Sequence, residues 1–288
     1  MLCRKPYSQG VQSYGCGQCL PCRLNRRRIW THRIMLESLV HEKASFVTLT
    51  YDQESVPEDG SVSPRDLQLF LKRLRKRTHP VRFFGVGEYG DNTWRPHYHL
   101  ALFGLGTDDK DAIHDSWGLG ITHTGTLTLD SAQYVAGYTT KKMTSKEDKR
   151  LAGRYPEFAR MSLRPGIGAP AIQEVAEALQ NKNGWDEISN AGDVPNVLQT
   201  QGRKLPLGRY MRSRLRLGMN FEVLTQSPEA AYKQSAEMLV MLYDRLLDEE
   251  SPLQLYKAKQ RLQEAENQKM SNQETRFKIF SQKKDHEL

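Results

Sequence analysis

The stretch Arg95-Pro96-His97-Tyr98-His99-Leu100-Ala101-Leu102-Phe103-Gly104 restricts the fold more than any other part of this chain. Strand side chains alternate between faces, so His97, His99, Ala101 and Phe103 share one face and Tyr98, Leu100 and Leu102 the other. A strand that is apolar on both sides, yet carries two imidazoles on one of them, belongs at the centre of a sheet with a polar pocket above it. Two imidazoles at i and i+2 lie within reach of one metal ion. A bare H-x-H more often marks hydrogen-bonded structural histidines, so the surrounding sequence has to decide.

The preceding run, Val81 to Tyr89, reads as a second strand, and Gly90-Asp91-Asn92-Thr93 as the turn that joins the two. Glu88 ends the first strand of this hairpin while His97 and His99 begin the second. A single register therefore sets a carboxylate beside two imidazoles, and Glu88 is the natural third ligand, with positions left open for water or a substrate oxygen. A metallohydrolase built on H-x-H would want further ligands; His114 and His123 are available, but no paired motif accompanies them.

The chain of 288 residues carries a net charge of +8, which points to a polyanionic partner, nucleic acid before membrane. Its 38% hydrophobic content permits a sizeable core, and no apolar run reaches transmembrane length, so a soluble, intracellular protein is expected.

All four cysteines, Cys3, Cys16, Cys19 and Cys22, lie near the start. Two C-x-x-C steps that share Cys19 are too tight for ordinary disulfides and suit tetrahedral thiolate coordination, with Cys3 closing the set. Structural zinc is the first choice and an iron–sulfur cluster the second. Arg23, Arg26, Arg27 and Arg28 follow at once, opening a helix to about His41. A metal-bound knuckle feeding such a helix would present guanidinium groups to DNA phosphates. A solvated basic face is the alternative.

Ser45 to Tyr51 reads as a strand, and Ser63-Pro64 as the cap and first turn of a helix with Leu67, Phe70, Leu71 and Leu74 on its apolar side. Its outer face holds Lys72, Arg73, Arg75, Lys76 and Arg77, either DNA-facing or merely solvated. Asp108 to Trp117 is a short helix and Gly120 to Leu129 a threonine-rich strand. Asp130 then caps a helix in which Tyr134 and Tyr138 share a face, joined there by Lys141 and Lys142. Two phenols and two amines make a poor core face, although tyrosines with lysines snorkelling past them would also fit. Beyond Thr144 the pattern loosens. Gln173 to Leu179 and Glu229 to Leu247 are helical in character, Asn181 to Gln201 is polar without period, and Ser251-Pro252 caps a last charged helix. Asn267 to Leu288 is expected to fray.

The order of these parts resembles the HUH endonuclease superfamily, and within it the rolling-circle replication initiators of small single-stranded DNA phages, the Microviridae. The matched residues are Phe46-Val47-Thr48-Leu49-Thr50, His97-Tyr98-His99 and Tyr134 through Lys142. Gly87-Glu88-Tyr89-Gly90, Arg95-Pro96 and Cys16-Gly17-Gln18-Cys19 are similar to the gokushovirus branch in particular. The likeness covers roughly residues 1–170. It departs from the superfamily pattern at Tyr98, where an apolar residue is usual between the histidines.

The resemblance implies an α+β fold with a central antiparallel sheet of about five strands flanked by helices. It divides the chain into a zinc knuckle and basic helix (1–44), a nickase core (45–170) and an accessory, mostly helical, partly disordered region (171–288). It implies a metal-dependent, site-specific DNA endonuclease and strand transferase. Tyr134 or Tyr138 would attack single-stranded origin DNA, assisted by Lys141 and Lys142, with Glu88, His97 and His99 holding Mg²⁺ or Mn²⁺ and Arg95 among the DNA contacts. The Y-x-x-K spacing to Lys141 favours Tyr138 as first nucleophile. A 5′-phosphotyrosine link and a 3′-OH primer would result, with host helicase and DNA polymerase as partners in the bacterial cytoplasm and no membrane involved. A plasmid or conjugative nickase would share this chemistry. A non-enzymatic, zinc-dependent DNA-binding regulator would explain the cysteines and arginines alone.

Overall fold

The computed structural model describes residues 3–9, 12–90, 93–138, 147–191, 193–219 and 252–284. The chain divides into two compact units, Arg27–Phe221, and Met1–Arg26 together with Glu222–Leu288.

The larger unit is built on five strands: β3 (Ala44–Tyr51), β4 (Arg82–Tyr89), β5 (Pro96–Phe103), β6 (Gly120–Thr126) and β7 (Phe158–Met161). They form one antiparallel sheet in the order β6-β3-β5-β4-β7. β5 carries the two histidines and sits at the centre, as its two apolar faces require. On one side Tyr98, Leu100 and Leu102 pack with Leu67, Phe70, Leu71 and Leu74 of α2 (Pro64–Arg77) and with Ile113 and Trp117 of α3 (Lys110–Trp117). On the other, Phe84, Val86, Ala101 and Phe103 pack with Ile34 and Met35 of α1 (Leu20–Leu39) and with Ala132, Val135 and Ala136 of α4 (Leu129–Gly137). The sheet is thus covered by helices on both faces, and the tyrosine helix lies on the histidine side.

Local chemistry explains the boundaries. The Ser63 hydroxyl accepts from the Asp66 amide at 3.1 Å and Pro64 opens α2, where its missing N–H costs nothing. Thr128, rather than Asp130, caps α4: its hydroxyl accepts from the Ser131 amide, and the Ser131 hydroxyl in turn accepts from the Thr128 amide. Sequence patterning extends the strand before it to Leu129; β6 ends at Thr126 because these capping residues take over. β7 lies in the stretch where patterning loosens and has no strand signature of its own. It adds to β4 by covering a glycine: a Cβ on Gly87 would meet the Phe158 ring at 2.8 Å.

A third apolar cluster joins Leu36 of α1 to α5 (Ile172–Leu179), α6 (Lys182–Ala191) and α7 (Gly208–Gly218) through Ile172, Ala176, Ile188, Met211 and Leu215. The span 181–201, read as polar and aperiodic, therefore holds α6 and β8 (Val197–Thr200), which pairs with β9 (Arg203–Pro206). α6 carries few apolar side chains and buries Ile188, too sparse a pattern to read as a helix.

In the smaller unit, β1 (Tyr7–Gln9) and β2 (Gln12–Tyr14) form a hairpin. Arg4 makes a two-pronged ion pair, at 3.0 and 2.7 Å, with Glu274 of α8 (Pro252–Lys284). α8 corrects the expectation of a frayed end from Asn267. Its polar residues are largely good helix formers with no glycine or proline after Pro252, and Gln268 donates to Asn272 one turn on. The helix expected at Glu229 to Leu247 lies outside the described residues. Among the described residues no helix is long and apolar enough to cross a membrane.

Candidate active site

The register of the β4–β5 hairpin pairs Glu88 with His97 and Val86 with His99. Glu88 is 2% exposed, and one of its oxygens, Oε1, lies 3.0 Å from Nε2 of His97 and 3.1 Å from Nε2 of His99. The three donor atoms fall within 4.8 Å of one another, a grouping able to hold a metal ion. Both imidazoles are aimed from behind. Nδ1 of His97 lies 3.0 Å from the Arg95 carbonyl, and Nδ1 of His99 lies 3.0 Å from the Thr48 hydroxyl. Such outer partners turn Nε2 toward a metal site.

The tyrosine helix closes the pocket. The Tyr134 hydroxyl lies 3.4 Å from Nε2 of His99. The Tyr138 ring stacks on the His99 imidazole, centroids 5.9 Å apart and planes at 17°, while Phe46 stacks on it at 5.6 Å and 10°. α4 ends at Gly137 with Tyr138 as its cap residue, so the helix is shorter than the sequence implied. Lys141 and Lys142, expected on the same face, lie outside the described residues.

Tyr98, between the two histidines, points to the opposite face. Its hydroxyl lies 2.6 Å from that of Tyr51 and accepts from the Ser63 amide at 2.7 Å. Burial pushes its phenol up to about 12, and the Tyr51 phenol is raised as well, chiefly by burial. These two are structural.

The arginines divide. Arg27 Nε donates to the Gln133 carbonyl of α4 at 2.9 Å. Burial lowers its pKa, and the neighbouring Tyr138 acts in the opposite direction. Arg95 donates to the Tyr51 carbonyl at 2.7 Å and to Gln53 at 3.3 Å, holding the base of the hairpin. Arg28, exposed, donates to the Lys204 carbonyl, and Arg26, also exposed, to that of Gly17. Arg23 is half-buried in the first turn of α1. On α2, Arg73 caps the end of α3 through the Ser116 and Trp117 carbonyls, and Arg75 binds the Val81 carbonyl, so part of that basic face serves the fold.

The sulfurs of Cys3, Cys16, Cys19 and Cys22 also lie within 4.8 Å of one another, a second group able to hold a metal ion. Gly17, with φ +73°, lets the chain turn between Cys16 and Cys19. Hydrogen bonds from the backbone amides of Cys19 and Gln18 pull the Cys16 thiol down to about 6, whereas burial pushes Cys22 up to about 12.

Residues 44–143, from β3 past the tyrosines, match the family model of the phage replication-associated protein ORF2. The chain is 35% identical over 218 residues to the replication-associated protein VP4 of Bdellovibrio phage phiMH2K, covering 67% of this chain and 68% of that one. It belongs to the phage replication-associated protein family. A second member, the replication-associated protein ORF2 of Spiroplasma virus 4, is 34% identical over 196 residues, 59% of this chain and 60% of its own. The replication-associated protein ORF4 of Chlamydia phage 1 is 26% identical over 151 residues, 44% of this chain and 38% of its own. No solved structure matches the chain. The likeness to rolling-circle initiators of small single-stranded DNA phages is thus borne out at the level of the family, and this replication-associated protein has its role in phage DNA replication.

Two contributors to the pocket stand out in the sequence only as members of a longer motif. Phe46 stacks on His99 and Thr48 contacts its Nδ1. The sequence-level signal for both is their place on a strand that must neighbour β5.

Proposed function

We propose that this phage replication-associated protein initiates rolling-circle replication by nicking single-stranded origin DNA with a tyrosine. The reading is carried by the Tyr134 hydroxyl, 3.4 Å from Nε2 of His99, beside two histidines that converge on one buried carboxylate.

The donor set fits a cation. The Arg95 carbonyl can only accept, so Nδ1 of His97 bears a hydrogen. The Nε2 of a neutral imidazole then turns a lone pair toward Glu88 Oε1 at 3.0 Å, a repulsion that only a proton or a metal ion relieves. Glu88, His97 and His99 would hold Mg²⁺ or Mn²⁺, and two imidazole donors favour Mn²⁺ in affinity. When bound, the ion supplies electrostatic polarisation of the scissile phosphate.

The chain's own residues do the rest. The Tyr134 oxygen forms a bond to phosphorus as the P–O3′ bond breaks; the phenol gives up its proton and O3′ takes one up. A 5′-phosphotyrosine and a 3′-OH primer result, available to host polymerase and helicase in the bacterial cytoplasm. The phosphoryl bond is conserved in the tyrosine ester, so a later 3′-OH can rejoin the strand without a nucleotide cofactor. A free phenol has a pKa of about 10 and needs positive charge nearby to react at neutral pH. Arg27 supplies it beside Tyr138, with Lys141 and Lys142 in the same role. Although Y-x-x-K spacing favours Tyr138, the distance to His99 favours Tyr134 for the first cut, and leaves Tyr138 to cut the regenerated origin while Tyr134 still holds the 5′ end.

The four cysteines would hold a structural zinc ion, and the exposed Arg26 and Arg28 would contact DNA phosphates, with Arg23 and Arg95 nearby in sequence to the knuckle and the metal strand. Two specific findings weigh against the rival readings. The relatives are phage proteins, not plasmid ones, and a DNA-binding regulator would have no use for a tyrosine against a Glu/His cluster. The test is incubation with a single-stranded origin oligonucleotide labelled on the 3′ side of the nick, with Mn²⁺. A labelled protein band that survives denaturant supports the reading; intact oligonucleotide at saturating protein contradicts it.

A further inference from the structure

The N-terminal hairpin carries two aromatic rings for which the fold has no internal use. Tyr7 and Tyr14 face each other directly across the β1–β2 pair, so their side chains leave the ribbon on the same side. They are 63% and 46% exposed. Strand propensity accounts for a tyrosine in such a ribbon, and single exposed aromatics are ordinary. Two in register, on a hairpin of three-residue strands, form a platform.

Two further features define what the platform fits. The hairpin is anchored at its base: Cys3 precedes β1, Cys16 follows β2, and the Cys16 amide donates to the Cys3 sulfur at 3.2 Å. An isolated two-stranded ribbon is marginal in water, so this staple holds the rings in place. The surroundings are also cationic. No Asp or Glu occurs before Glu37, while Arg4, Lys5, Arg23 and Arg26 lie in the same unit. Arg4 is engaged with Glu274, and Lys5, next to the first strand, is exposed.

We propose that Tyr7 and Tyr14 form a stacking site for the bases of single-stranded DNA, distinct from the nicking pocket. Rings in a positively charged setting suit single strands because every base offers a π-face, while a duplex keeps its bases stacked inside. The site is tolerant of sequence: it holds the strand and leaves recognition of the origin to other contacts. The inference rests on the DNA-binding side of the proposed function and not on tyrosine cleavage.

The test uses the full-length protein and a thirty-nucleotide thymidine oligomer that contains no origin, without added divalent ions, so that cleavage plays no part. Fluorescence anisotropy is expected to show Tyr7→Ala and Tyr14→Ala each binding about tenfold more weakly. Tyr7→Phe and Tyr14→Phe should stay within about twofold of wild type, because stacking needs the ring and not the hydroxyl. The slope of log affinity against log salt should be unchanged in all four, since phosphate contacts are untouched. Photocrosslinking to the same oligomer carrying iododeoxyuridine should map to the peptides of Tyr7 or Tyr14, a readout independent of any variant's folding. Crosslinks that map only elsewhere, alanine variants that bind like wild type, or tenfold preference for the matching RNA oligomer would each overturn the proposal.

Discussion

The hydroxyl of Tyr134 lies 3.4 Å from Nε2 of His99, while Tyr138 meets the same imidazole with the flat of its ring. Two phenols one helical turn apart therefore stand in different relations to the Glu88–His97–His99 cluster. On a linear origin oligonucleotide, Tyr134→Phe should slow adduct formation by about a hundredfold or more, as loss of a nucleophile does. Tyr138→Phe should cut a first strand at close to the wild-type rate but fail to release closed circles after a full replication round. Single-turnover kinetics on short oligonucleotides and circle yield on a plasmid origin separate the two roles.

Removing the metal donors should separate cutting from binding. His97→Ala and His99→Ala should abolish cleavage, and Glu88→Ala should leave a weaker residual rate, because water can replace a carboxylate donor. Affinity for origin DNA should fall less than about threefold in all three, since most of it comes from phosphate contacts. Titration of Mn²⁺ against Mg²⁺ should give half-maximal cleavage at lower Mn²⁺. Full nicking by His97→Ala would show the histidines to be structural.

The cysteine cluster makes a compositional prediction. Wild-type protein should hold one equivalent of zinc and lack visible absorbance. Cys16→Ser or Cys22→Ser should release it, lower the melting temperature and leave the Mn²⁺ dependence of cleavage unchanged. Metal analysis of the purified chain reads this directly, and a brown protein rich in iron would replace zinc with a cluster.

Acid sensitivity should be traceable to Asp193. Burial works to raise its pKa, but Arg216, bonded at 2.8 and 2.5 Å, and Arg212 outweigh it, so the folded value lies below the ordinary carboxylate value. A depressed folded pKa means that the stabilisation is present above the unfolded value of about 3.9 and is lost as pH falls through the folded one. Asp193→Asn should therefore destabilise the protein by about 1–3 kcal/mol at pH 7 and make little difference near pH 2. Urea melts of both proteins across that range give the difference. An equal gap at both ends would show that the pair's charge is not what matters.

Much of the sheet and of the pocket was legible in the sequence because both are local. Alternation along β5 assigned its two faces, and one hairpin register joined Glu88 to His97. The rest depended on contacts distant in sequence. β7 is four residues long and recognisable as a strand only through Gly87, which makes room for Phe158. Arg27 reads as a DNA contact among its arginine neighbours, yet its guanidinium reaches a carbonyl 106 residues away on α4. The precedence of Tyr134 over Tyr138 was likewise hidden, since spacing to Lys141 says nothing of which hydroxyl meets His99.

The most direct test of the central claim is peptide mapping of the protein–DNA adduct. Wild-type protein is incubated with the single-stranded origin oligonucleotide and Mn²⁺, digested with protease and nuclease, and analysed by mass spectrometry. The predicted result is a nucleotide phosphate on Tyr134, shifting to Tyr138 in Tyr134→Phe and disappearing when both are phenylalanine. An adduct that persists in the double variant, or one carried by Tyr98, would contradict the account.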